Sequence, residues 1–219
     1  MPRASSAVSR SNDPASTREN ILEVATREFA KKGLAGARID EIAAQTATSK
    51  RMIYYYFQSK QGLYLAALEQ SYRSIREIES TLHLEDLPPI EAMRTLVGFT
   101  FDYESQNEDF VRLVMNENMH HGHYLEQSDV INDVNWPVIN SIRDIYARGC
   151  EQGLFRTGLD PIDIHASISG LCFYNVSNQH TFSRIFRRDM MAPAVFAKRR
   201  NSVVDMILRY MLAPAQMND

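Results

Sequence analysis

Apolar positions along this chain recur every three or four residues, the period of an α-helix, whose successive residues turn by roughly 100°. No stretch shows the strict alternation of a half-buried strand. The pattern therefore predicts an all-α protein of about nine helices. The first is expected from Ser16, which reads with Glu19 as a capping box, through Ile21, Val24, Ala25, Glu28 and Phe29 to Gly33. Two short helices follow, over about 39–46 and 49–56, the first with Ile39, Ile42 and Ala43 inward. Ser59 caps a long helix to about 82, with Leu63, Ala66, Ala67, Tyr72 and Ile75 on its buried side. Pro88 and Pro89 open a helix to about 105, and Asn107 caps another that Gly122 closes. A long helix over about 127–151 contains Pro137, where a kink or break is expected. Asp160 and Pro161 start a helix to about 181, and Pro193 starts the last, ending near Leu212. Three units result: a Ser-rich, polar arm over 1–15, expected to be disordered; a three-helix unit over 16–58; and a larger helical domain over 59–219.

Hydrophobic residues make up 44% of the 219, enough for a proper core, but no apolar run is long enough to cross a bilayer. The N-terminus has no secretory pattern. The two cysteines, Cys150 and Cys172, lie in no metal or disulfide pattern and read as reduced thiols of a cytoplasmic protein. The net charge of −3 conceals an asymmetry. Residues 1–60 hold ten Lys/Arg against six Asp/Glu, a net +4, which leaves −7 for the remainder. A basic head on an acidic body points to a polyanionic partner for the head. Arg3 and Arg10 of the arm read either as a solvated tail or as an extra grip on nucleic-acid backbone.

Within that head, residues 49–64 read SKRMIYYYFQSKQGLY. Three consecutive helical residues fan over more than half the helix circumference, so Tyr54, Tyr55 and Tyr56 cannot all enter one core. Either they are packing residues with solvated bases around them, or the outward ones bind something. The segment IDEIAAQTATSKRMIYYYF has the outline of a helix-turn-helix, whose second helix enters the DNA major groove. Ala43 is small where the two helices cross, and Ile42, Ile53 and Phe57 tie the unit inward. Lys50 and Arg51 stand in the first turn of the second helix, which faces base edges; Arg51 suits a bidentate contact to guanine and Lys50 a base or a phosphate. Ser49 suits a phosphate or a cap, and tyrosine hydroxyls suit phosphate. Lys60 joins a helix N-terminus, where both can hold one phosphate.

These residues resemble the TetR-type one-component transcriptional regulators. The likeness is close over 17–65, from EFAKKGLAGARIDEIA through SKRMIYYYFQSKQGLYLAAL, and the family pattern is met at Ser49, Lys50, Ile53, Tyr54, Phe57, Lys60 and Leu63. The resemblance carries DNA contact over to Ser49, Lys50, Arg51, Tyr54, Tyr55, Tyr56 and Lys60, and to Arg38 before the preceding helix. Three departures stand out. Ala47 replaces the usual glycine of the turn, a strain of about 1 kcal/mol if that site is left-handed. Arg51 replaces a frequent glycine and adds reach. Arg38 replaces the usual threonine and leaves the next helix without an obvious cap. The segments AALEQSYRSIREIESTL, FVRLVMNENMHHGHYL and DPIDIHASISGLCFYNVSNQHTF are similar to the branch that includes repressors of nicotinate catabolism.

The resemblance implies a homodimer through the last two long helices, about 161–181 and 193–212, whose apolar positions include Ile164, Ile168, Leu171, Cys172, Val203, Ile207 and Met211. DNA geometry asks for the same: two recognition helices about 35 Å apart match a palindromic operator. It also implies a small-molecule effector, an aromatic or heteroaromatic acid, among the middle helices. Candidate lining residues are Phe101, Met115, Asn118, Met119, Trp136, Phe173, Tyr174, Asn175 and His180, each also readable as ordinary core. His120, His121 and His123, with Glu117 one turn before His121, read as a helix end, as pocket residues or as a metal site; since HHGH runs into a glycine, no metal and no cofactor is expected. No nucleophile elbow, phosphate loop, HExxH or paired CxxC is present, so no enzyme is expected. Asp163 and His165 beside Ser167 and Ser169 make a triad only on paper, because Asp163 suits a helix first turn. The expected function is a ligand-responsive, dimeric repressor; the alternative is an all-helical binding or interaction protein with a vestigial helix-turn-helix.

Overall fold

The structure is a computed structural model that describes residues 13–214. Most of the arm predicted as disordered therefore lies outside the described residues. Among the described residues ten α-helices follow one another: α1 Pro14–Gly36, α2 Ile39–Gln45, α3 Lys50–Phe57, α4 Lys60–Ser80, α5 Pro89–Gln106, α6 Glu108–Met119, α7 Val130–Glu151, α8 Pro161–Ser177, α9 Gln179–Phe186 and α10 Pro193–Met211. Single 3-10 turns sit at Leu84–Asp86 and Leu125–Gln127. Among the described residues the one extended pairing is an isolated bridge between Phe155 and Leu212.

Four details differ from the sequence expectation. The first helix starts at Pro14, capped by Asp13, whose carboxylate accepts from the Ala15 amide at 3.2 Å, so 14 and 15 are helical rather than part of an arm. Asp followed by Pro outcompetes the Ser16–Glu19 box because proline's fixed φ and missing N–H both suit the first helical position. Asn107 does not cap α6; its side chain turns back and donates to the Tyr103 carbonyl at 2.8 Å, closing α5. Pro137 does not break α7. It is exposed, and so is Asp133, whose carbonyl it leaves unpaired, so water can meet that group. Finally, α8 stops at Ser177 and a separate α9 follows, the helix that the count of nine missed. No Gly or Pro marks that break; Asn178 leaves the helical region, and its carbonyl accepts from Phe182 N at 2.9 Å and Thr181 Oγ1 at 3.1 Å.

Two cores result. Ile21, Val24, Ala25 and Phe29 of α1 pack with Ile42 of α2, Ile53 and Phe57 of α3, and Leu63, Tyr64, Ala67 and Leu68 of α4. The second core joins α5 (Met93, Leu96, Val97, Phe101), α7 (Val138, Ile142, Ile145), α8 (Ile164, Ile168, Cys172) and α10 (Val203, Val204, Ile207, Met211). A smaller aromatic cluster of Ile75, Tyr103, Phe110, Val111 and Val176, with Tyr72 and Phe173 against it, lies where α4, α5, α6 and α8 meet. Helix α4 thus begins in the first core and ends in the larger domain. The cysteines are free, Cys172 buried and Cys150 half-buried. No described helix is long and apolar enough to cross a membrane.

The turn between α2 and α3 carries measurable strain. Ala47 has φ +51, in the left-handed region, and its side chain is exposed. The alanine Cβ is unfavourable there and glycine is not. Ala47→Gly should raise stability by about 0.5–1 kcal/mol, read as a higher urea midpoint at unchanged slope.

Candidate nucleic-acid interface and effector cavity

Ile53 and Phe57 point into the first core, and this fixes the outward face of α3. Ser49 is the N-cap: its hydroxyl accepts from the Met52 amide at 3.2 Å. Lys50 and Arg51 are exposed in the first turn, Tyr54 is 45% and Tyr55 76% exposed, while Tyr56 is half-buried, packs against the three-helix core and meets Tyr55 edge-on at 5.3 Å. The three tyrosines thus divide into two outward and one packing residue. Lys50 pairs with Asp40 of α2, an exposed contact that a phosphate can replace at little cost. Lys60, half-buried at the start of α4, donates to the Ala35 carbonyl at 3.3 Å beside the Ser59 cap, whose Oγ accepts from Gly62 N at 2.9 Å. Arg38 is exposed at the N-cap position of α2 and makes no side-chain cap, so the acids Asp40 and Glu41 alone complement that helix end. Sequence reasoning did not single out Met52, exposed on the same short helix; an apolar residue among cations was its one signal.

The α2–α3 unit is held rigidly to α1. Lys32 of α1 bridges Glu28 at 2.6 Å and Glu41 of α2 at 2.5 Å, Gln45 donates to Glu28 at 3.0 Å, and the Arg18 guanidinium lies 5.3 Å over the Phe57 ring. Lys32 and Gln45 beside Glu28 hold its carboxyl below the usual range.

The nine candidate effector residues do not gather in one place. Phe101 is core, against Phe196 at 5.1 Å. Met115, Met119 and His180 line a surface hollow of about 220 Å³ with Glu108 and Arg112, and Met119 is largely exposed. Asn118 caps its own helix by donating to the Val114 carbonyl at 2.9 Å. Trp136 is half-exposed on α7 and Tyr174 on the outer face of α8. Phe173 joins the aromatic cluster, and Asn175 is fully buried beside it. Glu117 is also accounted for: its Oε1 accepts from the Tyr124 and Leu125 amides at 2.7 and 3.1 Å. His120 and His123 both pack edge-on against Tyr124. Among the described residues, the ligand-like cluster is instead the exposed His83, Glu85 and Asp86.

Two features were not foreseen. The first is a cleft of about 910 Å³ between α1 and the α4–α6 end of the larger domain, lined by Arg18, Glu23, Arg27, Ser71, Tyr103 and Asp109 among others. The second is an interior polar centre. Arg76 of α4 donates from Nε to Asn135 Oδ1 of α7 at 3.2 Å and from Nη1 to Glu79. Near it, Glu104 of α5 is 4% exposed, with Oε2 unpartnered. Burial pushes the Glu104 carboxyl up to about 8 against a lowering by Arg76. Burial holds the His165 ring of α8 down at about 4, with the Arg76 charge adding to it. Glu104 lies on the Val97–Phe101 stripe of α5, so an acid on an apolar stripe was the legible signal.

These two groups set a pH dependence. Between about 4.5 and 8 the folded chain keeps a proton on Glu104 that the unfolded chain releases, so stability falls as pH rises. Between about 4 and 6.5 the unfolded chain protonates a histidine that the folded chain keeps neutral, so there His165 makes stability rise with pH. The two slopes offset each other up to about 6.5, and from 6.5 to 8 a loss of about 1 kcal/mol per pH unit remains. Urea midpoints should fall over that upper window in the wild type and stay level in Glu104→Gln.

Comparison with known proteins agrees with this geometry. Residues 21–67 match the family described as bacterial regulatory proteins, tetR family, and residues 89–207 match the tetracyclin repressor-like C-terminal domain. The HTH-type transcriptional repressor NicS of Pseudomonas putida is 34% identical over 193 residues, covering 88% of this chain and 91% of its own. The solved putative transcriptional regulator SCO4942 of Streptomyces coelicolor superposes with a TM-score of 0.68 at 26% identity, over 89% of this chain and 98% of that one. The regulator FadR of Bacillus subtilis, solved with stearoyl-CoA, gives 0.65 at 18% identity over 88% and 98%, a likeness of fold.

Proposed function

This chain belongs to the TetR family of transcriptional regulators, and we propose that it represses by occupying a palindromic operator as a homodimer in the cytoplasm, without enzymatic activity, until a small molecule releases it. The observation that carries this reading is the outward face of α3: Lys50, Arg51, Tyr54 and Tyr55 stand clear of the core, on a short helix capped by Ser49 and locked to α1. Arg51 reads a base edge, Lys50 a base or phosphate, and Ser49, Tyr54, Tyr55, Lys60 and Arg38 hold the phosphate backbone. Tyr56 supports Tyr55 from behind and reaches DNA only at its rim. Helices α8 and α10 pair with their copies and set the spacing of the two α3 helices to one helical turn of DNA.

The effector acts in the larger domain, and an aromatic or heteroaromatic acid remains the class we favour, by likeness to NicS. Two rigid links carry its effect to α3. Helix α4 runs from the first core into the aromatic cluster of the larger domain, and Asn116 of α6 donates to the Phe29 carbonyl of α1 at 3.3 Å. An effector must prefer the released arrangement by a few kcal/mol, about three, to empty the operator at useful concentrations.

Fluorescence anisotropy on DNA from upstream of the protein's own gene tests the assignment. Arg51→Ala should lose about 1–3 kcal/mol of preference for operator over random DNA. Lys60→Ala should weaken both DNAs alike and reduce the salt slope by about one. Equal losses on both DNAs for Arg51→Ala would remove its base-reading role.

A further inference from the structure

Asn175 is the anomaly of the larger domain. Its side chain is 0% exposed, and neither its amide nitrogen nor its oxygen has a hydrogen-bond partner. Buried amides in folded proteins are almost always bonded, so two empty positions on one side chain call for a partner from outside the chain. A second unpartnered group, Glu104 Oε2, belongs to α5, the helix that packs against α8. Cys172, one turn before Asn175, lies with its Sγ 4.0 Å from the Val97 carbonyl of α5, and the Glu104 charge helps push its thiol up, behind the larger effect of burial. The neighbours in sequence, Tyr103 and Val176, share the aromatic cluster with Phe110 and Phe173. Tyr103 and Phe110 also line the cleft beside α1, so the cluster stands between solvent and the unpartnered groups.

We propose that the effector docks against Asn175 and Glu104, between α5 and α8, reached past Tyr103 from the cleft, and that it is a small planar molecule with an amide-type edge, a hydrogen-bond donor beside an acceptor. This rests on the reading of the chain as an effector-responsive regulator and narrows the chemistry of the effector. An asparagine side chain offers an acceptor and a donor together, and its complement is the reversed pair of a lactam or carboxamide. The second N–H of a carboxamide, which a lactam lacks, meets Glu104. A bare carboxylate at this spot is disfavoured: it has no donor for the Asn175 oxygen, and the Arg76 charge that could offset its burial is already taken by Glu79. Tyr103 and Phe173 supply apolar, planar walls. An acid group on the same ring has to sit away from Asn175.

Thermal shift with 2-pyridone, benzamide and benzoate tests the assignment on the full chain. The two amide-edged probes should raise the wild-type midpoint by roughly 3 °C at a tenfold excess over their dissociation constants, and benzoate should not. Asn175→Leu, of similar volume and without polar atoms, should fold and lose that shift; Glu104→Leu, which removes both carboxyl oxygens at similar volume, should weaken it about tenfold. A shift that persists in Asn175→Leu, a response to benzoate alone, or no response to any probe would overturn the site, the last meaning that these groups serve water only. If Asn175→Leu does not fold, an unaltered affinity in Glu104→Leu has the same force. Wild-type binding to the upstream DNA is measured separately. A protein that ignores that DNA but keeps the amide shift retains the site and loses the regulator reading; one that binds the DNA and ignores the amide probes loses the site alone.

Discussion

Gly170→Arg should convert the protein from dimer to monomer and reduce its operator affinity by about a hundredfold or more. On α8, Ile162, Ala166, Gly170 and Tyr174 are all exposed at four-residue spacing, so they form one outward line. Two of the four are small, which lets a second helix approach closely. Tyr174 continues the surface onto α9, edge-on to Phe182 at 6.4 Å, and Phe182 meets Phe186 at 4.6 Å. On α10, Met206 and Tyr210 are exposed as well. An apolar face of this extent on a monomer asks for cover, and in a TetR regulator a second copy supplies it. Nothing lies within 4 Å of a Cβ added at Gly170, so an arginine there leaves the protomer's own packing intact and adds charge and bulk only where the partner would sit. The operator loss follows from linkage: two α3 helices held one turn of DNA apart bind the second half-site at high effective concentration, and separated ones do not. Sedimentation velocity should show a folded monomer of unchanged helix content. A Gly170→Arg protein that still sediments as a dimer would place the interface elsewhere.

The same residues show what the sequence made legible. Tyr174 is grouped with possible effector residues because pockets in such helical domains are lined by aromatics and a few polar groups; the sequence cannot tell the inner from the outer side of a helix with more than one apolar side, as α8 has. The helix-turn-helix, by contrast, was readable nearly residue by residue, since caps, turn and buried anchors (Ser49, Ala47, Ile53, Phe57) are local signals within twenty residues. The departures at Ala47 and Arg38 raised the questions of a left-handed turn and a missing cap, and the structure has φ +51 at Ala47 and no side-chain cap at Arg38. The interior polar centre was not readable. Arg76, Glu104, Asn135 and His165 come from four helices, and no spacing along the chain announces that they converge. Only Glu104 on an apolar stripe gave a hint. The break between α8 and α9 was hidden for a different reason: no proline or glycine marks it, and its signal is a single Asn carbonyl taken up by the next turn.

Gly149→Ala should destabilise the larger domain by about 3 kcal/mol, although glycine in the last turn of a helix is ordinarily the weaker choice by nearly 1 kcal/mol. A Cβ at Gly149 would lie 2.0 Å from Cδ2 and 2.4 Å from Cε2 of Phe155. That ring is buried in the second core and cannot swing into solvent without leaving a cavity. Nor can the backbone carry it away. The Gly149 carbonyl accepts from both Leu154 N at 2.9 Å and Phe155 N at 3.1 Å. The next residues are fastened to the end of α10, by Arg156 N to the Met211 carbonyl at 2.8 Å, Ala213 N to the Leu154 carbonyl at 2.9 Å, and Arg156 Nε to the Tyr210 carbonyl at 2.6 Å. The clash therefore acts on the end of α7, on the loop leading into α8 and on α10 together, and α8 and α10 are the helices assigned to the dimer. Urea unfolding measures the loss. Phe155→Leu combined with Gly149→Ala should cost less than the two changes separately added, because the smaller side chain makes room for the methyl group. A strictly additive double variant, or a single-variant loss under about 1 kcal/mol, would mean that Phe155 moves aside more freely than its three hydrogen-bonded anchors allow.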